Sequence, residues 1–524
     1  MKSFKNYMPS FLYGFSFCIL LLFLLQQGIL FFSIDKDQKS NENILTFQKI
    51  EDMYNLILDT YYEPVDTAEL LNSMLETMLN NVDFHTTYIP YQDHLRQSEE
   101  MSGNFYGIGI QFSLFKDTIV VVRVLPDGPA QSTPLLAGDR ITHVDGKEIT
   151  GPNIKNELVL NTLRGDKGTN VKLTILNSSK EIKEISLNRG EIPLHSISSS
   201  YFINPNIGYI KIDKFSSTTY SEFIDHTNNL INKGAEKLIL DLRGNTGGYL
   251  DQAVAITEEL LEKGLGIVSV KGQYRNEIIY KSNYNGQLSN FPLVVIIDEG
   301  SASASEILAG AIQDNGRGEI VGRPSFGKGL VGEEFSLGDG SVLRLTVARY
   351  FTPSGRCIQK EMENDYNYSY DTSNYEDYFL NNIDSTKIFK TLDGDTVFGG
   401  GGIYPDYFIQ PEFMSNSVSS FFTENLDKID ELTFQFIDLN RARYSSTKEG
   451  FENLIIDNKN NLISMISSDL DEYDNFSNIE KDEIYLQLEV LTARNFLSTK
   501  EFVYFVNNND SAYLKSINLL NSEL

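Results

Sequence analysis

Apolar and polar positions change period several times along the chain, and each change marks a group of elements. Between residues 40 and 98 the apolar positions recur at helical spacing, as Ile50, Met53, Tyr54, Ile57 and Leu58 and then Leu70, Leu71, Met74, Leu75 and Met78, until FHTTYIP (Phe84 to Pro90) breaks them. From 99 to 190 the period shortens to that of strands: IGIQFSL, TIVVVRVL, RITHVDG, NVKLTIL and EIKEISL, with one helix around Asn153 to Leu163. From 191 to 413 the strands IGYIKID, KLILDLRG, GIVSVKG, PLVVIID and GEIVGRP alternate with helices around Tyr220 to Lys233, Gln252 to Lys263 and Ala304 to Asn315. That alternation predicts an α/β core with helices packed on a sheet. Asn364 to Asp384, rich in Tyr, Asn and Asp, predicts a flexible insertion. After Pro411 helical spacing returns at Phe421, Leu426, Ile429, Leu432 and Phe436, so a helical cap or partner surface is expected over 414–524.

The N-terminal segment has a different character. No charge occurs between Lys5 and Asp35, and Phe11 to Ile34 is apolar and long enough to span a bilayer. Lys2 and Lys5 precede it, which predicts an uncleaved signal anchor over 1–35 with the bulk of the chain outside the cytoplasm. A cleaved signal peptide is the other reading, but no small-residue cleavage site comes after the apolar run. The net charge of -28 excludes nucleic acid as a natural partner, because phosphates would be repelled. Cys18 and Cys357 are the two cysteines, so there is no disulfide framework, and neither CxxC nor HExxH occurs, so no metal is expected.

The candidate chemistry lies between Asp298 and Gly329, DEGSASASEILAGAIQDNGRGEIVGRPSFGKG. An apolar strand, a serine-rich turn and a helix start succeed one another. A side chain at such a turn is rigidly held, and the helix N-terminus favours developing negative charge. A nucleophilic serine would suit that place. Ser303 and Glu306 equally form the S-x-x-E pattern of a capping box, and local pattern does not choose among Ser301, Ser303 and Ser305. Lys328, between Gly327 and Gly329 and after Phe326, supplies a candidate base if desolvation lowers its pKa. His85, His94, His143, His195 and His226 all precede Ser303, and none sits in an evident catalytic turn. GRPSFGKG also matches G-x-x-x-x-G-K, but Gly329 stands where a phosphate loop needs Ser or Thr, and a strand pattern comes next where a helix is required. An ATPase is therefore not expected.

The string GSASASEILAGAIQDNGRGEIVGRPSFGKG resembles the carboxyl-terminal processing peptidases, or tail-specific proteases, of family S41, which use a Ser-Lys pair. The resemblance extends to YGIGI (Tyr106 to Ile110), LLAGDRITHVDGKEI (Leu135 to Ile149), LRGDKGT (Leu163 to Thr169), DLRGNTGG (Asp241 to Gly248), LRLTVARYFTPSG (Leu343 to Gly355) and GGIYPD (Gly401 to Asp406), in order, over roughly residues 45 to 412. It implies a multidomain α+β protein: a signal anchor at 1–35, an N-terminal helical region at 36–98, a PDZ domain at 99–190, a crotonase-like (ClpP-like) α/β protease core at 191–413 and a C-terminal helical region at 414–524.

Carried onto matching positions, the resemblance implies Ser303 as nucleophile, Lys328 as general base, and an oxyanion hole built from the amide of Ala304 and that of Gly247 or, next in preference, Gly248. Glu306 and Asp314 are implied as supporting carboxylates; a cap and a helix-surface carboxylate are their plain structural readings. Tyr106, Gly107, Ile108 and Gly109 match the carboxylate-binding loop of a PDZ domain, where a peptide adds as a strand. Arg164 either couples that domain to the protease or is a surface turn residue. The chain departs from the family pattern at Gly332, where many members carry a glutamine that orients the lysine. The implied activity is that of a serine endopeptidase needing no cofactor. It would face the periplasm from the bacterial inner membrane and cleave envelope proteins near their C-termini after the PDZ domain takes an exposed apolar tail. The alternative is a catalytically weak or inactive adaptor that binds such tails; the oligomeric state is left open.

Overall fold

A computed structural model describes residues 47–115, 117–152, 154–177, 179–204, 206–360 and 387–522. The predicted insertion at 364–384 and the apolar stretch Phe11 to Ile34 lie outside these residues. The expectation of a single-pass inner-membrane protein is withdrawn, because among the described residues no helix is long and apolar enough to cross a membrane.

The chain divides into two compact units, the first ending at Phe84 and the second running from His85. In the first, the helical spacing forms α1 (47–60) and α2 (Thr67–Asn80). Asp66 starts α2 by accepting from the amides of Ala68 and Glu69, which satisfies two orphan donors.

The second unit opens with β1 (Thr87–Ile89) and α3 (Tyr91–Ser102), the latter stopped by Gly103 in the left-handed region. A β-rich part comes next, made of β2 (Asn104–Gly107), β3 (Ile110–Phe115), β4 (Thr118–Val124), β5 (Arg140–Val144), β6 (Lys147–Glu148), α4 (Asn156–Leu163), β7 (Asn170–Leu176), β8 (Ile182–Asn188) and β9 (Gly190–Pro193). Among the described residues its main sheet has the order β3-β4-β5-β7-β8, with β3 at one edge, and β2 pairs separately with β9. Ile119, Val121, Ile141, Val159 and Leu173 fill its own core.

The α/β part comprises β10 (Ile197–Asn204), β11 (Ile207–Ile212), α5 (Thr219–Asn232), β12 (Lys237–Asp241), α6 (Leu250–Leu260), β13 (Gly266–Gly272), β14 (Arg275–Lys281), β15 (Leu293–Ile297), α7 (Ala304–Asp314), β16 (Glu319–Gly322), β17 (Leu330–Ser336), β18 (Val342–Phe351), β19 (Ile388–Lys390), β20 (Thr396–Phe398) and β21 (Tyr407–Phe408). The central sheet runs β10-β11-β12-β15-β16-β21 and is parallel from β11 onwards. A second sheet, β1-β18-β13-β14 with β17 on β18, stands beside it.

Five helices complete the chain: among the described residues these are α8 (Asn416–Asn440), α9 (Lys448–Asp469), α10 (Asn478–Phe496), α11 (Thr499–Asn507) and α12 (Ser511–Asn521). The first three share a core around Phe421, Phe436, Phe451 and Leu488. The last two have another task. Leu238, Leu240, Val295 and Ile297 face the helices α5 to α7, while Ile239, Val294 and Ile296 face Tyr513, Leu519 and Leu520 of α12. Parallel strands buried on both faces must be apolar at successive positions, which is why β15 reads LVVII.

Candidate active site

The apolar run of β15 is fully buried, and the chain leaves it through a turn that ends at Ser303. There the backbone has φ 55° and ψ −110°, a region an L residue rarely enters, so the turn is sharp and held by its surroundings. Ser301 donates its hydroxyl to the carbonyl of Leu242 at 2.8 Å, and Ser305 donates to that of Asn245 at 2.9 Å. Both are completely buried, whereas Ser303 is partly exposed at the mouth of α7. The Ser303 side chain faces the Glu306 amide in the manner of a capping box, yet makes no cap hydrogen bond of normal geometry. Of the three serines, it is the one whose hydroxyl is not committed to the turn.

Glu306, with no exposed surface, ties that turn to the lysine loop. Its Oε2 accepts from the amides of Ser303 at 2.8 Å and Lys328 at 2.9 Å, and its Oε1 from the Ser325 hydroxyl at 2.6 Å and the Gly327 amide at 2.7 Å. Ser325 in turn accepts from the Ile403 amide, so its own proton points at the carboxylate. Burial pushes the Glu306 carboxyl up from its ordinary value, and the four donors around it oppose that rise. Tyr350, buried and absent from the sequence-based site, adds a second brace: its hydroxyl reaches the carbonyls of both Ser303, at 3.2 Å, and Lys328.

Burial lowers the Lys328 ammonium below the ordinary lysine value, the Arg344 charge lowers it further, and Glu306 opposes both. Arg344 occupies a telling place. A Cβ on Gly332 would stand 3.4 Å from the Arg344 Cγ, because Gly332 and Arg344 lie near one another across β17 and β18. The arginine stem therefore packs beside Gly332. Its guanidinium is held by Glu334 at 2.6 Å and Gln97 at 2.8 Å. The strand directly after Lys328 also removes the helix a phosphate loop would need.

The loop from Gly244 to Gly248 lies against the turn. Ala302 donates its amide to the Asn245 carbonyl at 2.9 Å, and a Cβ on Gly247 would come within 2.8 Å of the Ser303 Cβ and 3.0 Å of the Ala304 nitrogen. Only glycine permits this approach. The Gly247 amide itself donates to Asn245 Oδ1 at 2.9 Å. Among the described residues no hydrogen-bond acceptor meets the amides of Ala304 and Gly248. A side chain on Gly248 would strike the Phe215 carbonyl at 2.1 Å.

Asp314 lies at the other end of α7 from Ser303. It is buried, pairs with buried Arg356 at 2.7 Å, and accepts from the Ser354 amide at 3.0 Å. Sequence reasoning offered a helix-surface carboxylate as its plain reading; the structure places it inside. Tyr106 and Gly107 end β2, Ile108 is buried, and Gly109 has φ 82° with Gly128 packed 2.9 Å from where its Cβ would be. β3 begins at the next residue, and among the described residues no strand pairs with its outer edge. Arg164 donates to Glu99 of α3 at 2.8 Å and lies 4.8 Å from the Phe105 ring centre.

A strand-turn-helix serine, a partly buried lysine on an adjoining loop and the amides beside them are the kind of groups a serine hydrolase of the acyl-transfer class requires. Comparison with known proteins agrees. The pattern of Peptidase family S41 matches residues 206–368 and that of the PDZ domain matches residues 107–187. The carboxy-terminal processing protease CtpA of Bacillus subtilis is 33% identical over 316 residues, covering 60% of this chain and 67% of the relative. A carboxy-terminal-processing protease of Bartonella bacilliformis is 36% identical over 315 residues, covering 59% and 71%. Among solved structures, a photosystem II D1 C-terminal processing protease is similar at 25% identity and a TM-score of 0.36, covering 70% of this chain and 87% of that one. The chain belongs to the carboxy-terminal processing proteases of peptidase family S41, and is a serine peptidase carrying a PDZ domain.

Proposed function

We propose that this peptidase works through Ser303 and Lys328 and cleaves polypeptides near their C-termini after the PDZ domain has taken an exposed apolar tail. The observation that carries the reading is the single carboxylate of Glu306, which fixes the Ser303 turn and the Lys328 loop against each other. Lys328, whose charged form is disfavoured by burial and by Arg344, takes the Ser303 proton in its neutral form as the hydroxyl attacks the scissile carbonyl. The oxyanion that forms is met by the amides of Ala304 and Gly248, which have no other acceptor among the described residues, and the α7 N-terminus adds to the same field. The lysine then protonates the leaving amine and later draws a proton from the water that hydrolyses the acyl-enzyme. No cofactor takes part.

The tail adds as a strand along the open edge of β3, its terminal carboxylate received by the Tyr106-Gly107-Ile108-Gly109 turn. The test is to incubate the full-length protein with an unstructured polypeptide ending in apolar residues and identify the products by mass spectrometry. Cleavage near the C-terminus is expected, abolished by Ser303→Ala and by Lys328→Ala and slowed when the last residue is made acidic. Activity that survives Ser303→Ala overturns the reading, and a wild-type protein that binds the tail without cutting it is the adaptor.

A further inference from the structure

The C-terminal helices lie beyond the stretch that the peptidase pattern matches, yet two of their residues reach into its DLRGNTGG motif. The Arg243 guanidinium is gripped from two sides. Within the motif, Asp241 accepts from Arg243 Nε at 3.0 Å and from Nη2 at 2.6 Å. From the C-terminal region, Asn507 at the end of α11 accepts from Nη2 at 2.9 Å, and Asp510, which also caps α12, pairs with Nη1 at 2.8 Å. Asn507 is itself buried and anchored, donating to the Tyr201 hydroxyl at 3.0 Å. Burial alone would raise the Asp241 carboxyl, but Arg243 and Lys211 hold it well below the usual carboxylate range, and the Tyr209 hydroxyl donates to it at 2.6 Å. Lys211 also donates to the Arg243 carbonyl at 2.8 Å, so main chain and side chain are both fixed at this residue.

The loop packed on Ser303 begins immediately after Arg243. Gly244 donates to Asp298 at 2.8 Å, Asn245 receives Ala302 and Ser305, and Gly247 and Gly248 come next. We infer that Asn507 and Asp510 are positioning residues for the peptidase reaction: by clamping Arg243 they set where the Gly244–Gly248 loop, and with it the Gly248 amide, meets the oxyanion. This rests on the proposed roles of Ser303 and Gly248. The C-terminal region thereby completes the catalytic frame as well as covering the sheet.

The test uses the full-length protein and a peptide substrate with an apolar tail, reading kcat and KM separately together with the melting temperature. Asn507→Ala combined with Asp510→Ala is expected to lower kcat about tenfold or more with KM within about twofold, a fraction of the 10²–10³ that losing an oxyanion donor costs. Asp510→Asn keeps one of the two oxygens, for Arg243 Nη1 or for the Tyr513 amide of the α12 cap but not for both, and is expected to lose less kcat than Asp510→Ala. Leu520→Ala loosens the same interface without touching Arg243 and is expected to lower the melting temperature while kcat stays at the wild-type level. Should the double variant not fold, Asn507→Ala alone is read in the same way. A double variant with wild-type kcat, a loss confined to KM, or an equal loss of kcat in Leu520→Ala overturns the inference. If wild type and Ser303→Ala are equally active or equally inert, it is the underlying site assignment that has failed instead.

Discussion

Ser303 and Lys328 donate their backbone amides to the same oxygen atom, Glu306 Oε2, at 2.8 and 2.9 Å. The two candidate catalytic residues are thus 25 positions apart in sequence and one acceptor apart in space. Removing the whole Glu306 carboxylate leaves two part-buried amides, one buried amide and a buried hydroxyl without that partner, at up to about 1–3 kcal/mol each. Glu306→Ala is therefore expected to lose several kcal/mol of stability, of order 3 or more, measured as a shift in the urea midpoint. In the fraction that remains folded, a misplaced lysine loop is expected to cost about a hundredfold in kcat. Glu306→Gln is not a remedy, because its amide nitrogen would face two donors where an oxygen stood.

Arg344 predicts a pH effect with a definite sign. A cation near Lys328 disfavours its protonated form, and the base must be neutral to act, so activity rises with pH through the Lys328 pKa. Replacing the cation by Arg344→Gln raises that pKa. The rising limb of kcat/KM against pH is then expected to move to higher pH, and Arg344→Glu should move it further in the same direction. A limb that stays in place, or moves to lower pH, contradicts the assignment of Lys328 as base.

Among the described residues no acceptor meets the Gly248 amide, and the position has no room for a side chain. A methyl group there would sit 2.1 Å from the Phe215 carbonyl on a backbone with φ 142°. The loop must shift to admit it. Gly248→Ala is expected to reduce kcat about 10²–10³-fold with little change in KM, the signature of a lost oxyanion donor, in steady-state kinetics on a tailed peptide.

The strand, turn and helix around Ser303 were legible because a run such as PLVVIID leading into serines and a capping pattern has few other solutions. The partners were less so. Tyr350 lies in an alternating strand and reads as an ordinary core residue; only the fold brings its hydroxyl to two carbonyls of the site. Arg344 is set beside Gly332 by a register that includes a bulge between Val331 and Gly332, which no local pattern announces. The sequence has no signal for the Asn245 side chain taking up the Gly247 amide, which bears on the choice between Gly247 and Gly248. One missed signal was present: KLILD and LVVII are apolar on both faces, while the three helices between 191 and 413 cover one, so the chain had to supply a second layer from elsewhere. That layer is α11 and α12.

Asp314 and Arg356 separate support of the site from support of the fold. Their side chains are 0% and 1% exposed, and they meet at 2.7 Å at the end of α7 remote from Ser303. An eleven-residue helix is roughly 15 Å long, so neither group can touch the scissile bond at Ser303. Removing one partner leaves the other charge buried and uncompensated, a loss of about 3–5 kcal/mol. Arg356→Ala and Asp314→Ala are each expected to lower the denaturation midpoint by that amount while kcat per folded molecule stays near the wild-type value. A variant that instead kept its stability and lost kcat would place Asp314 in the catalytic apparatus.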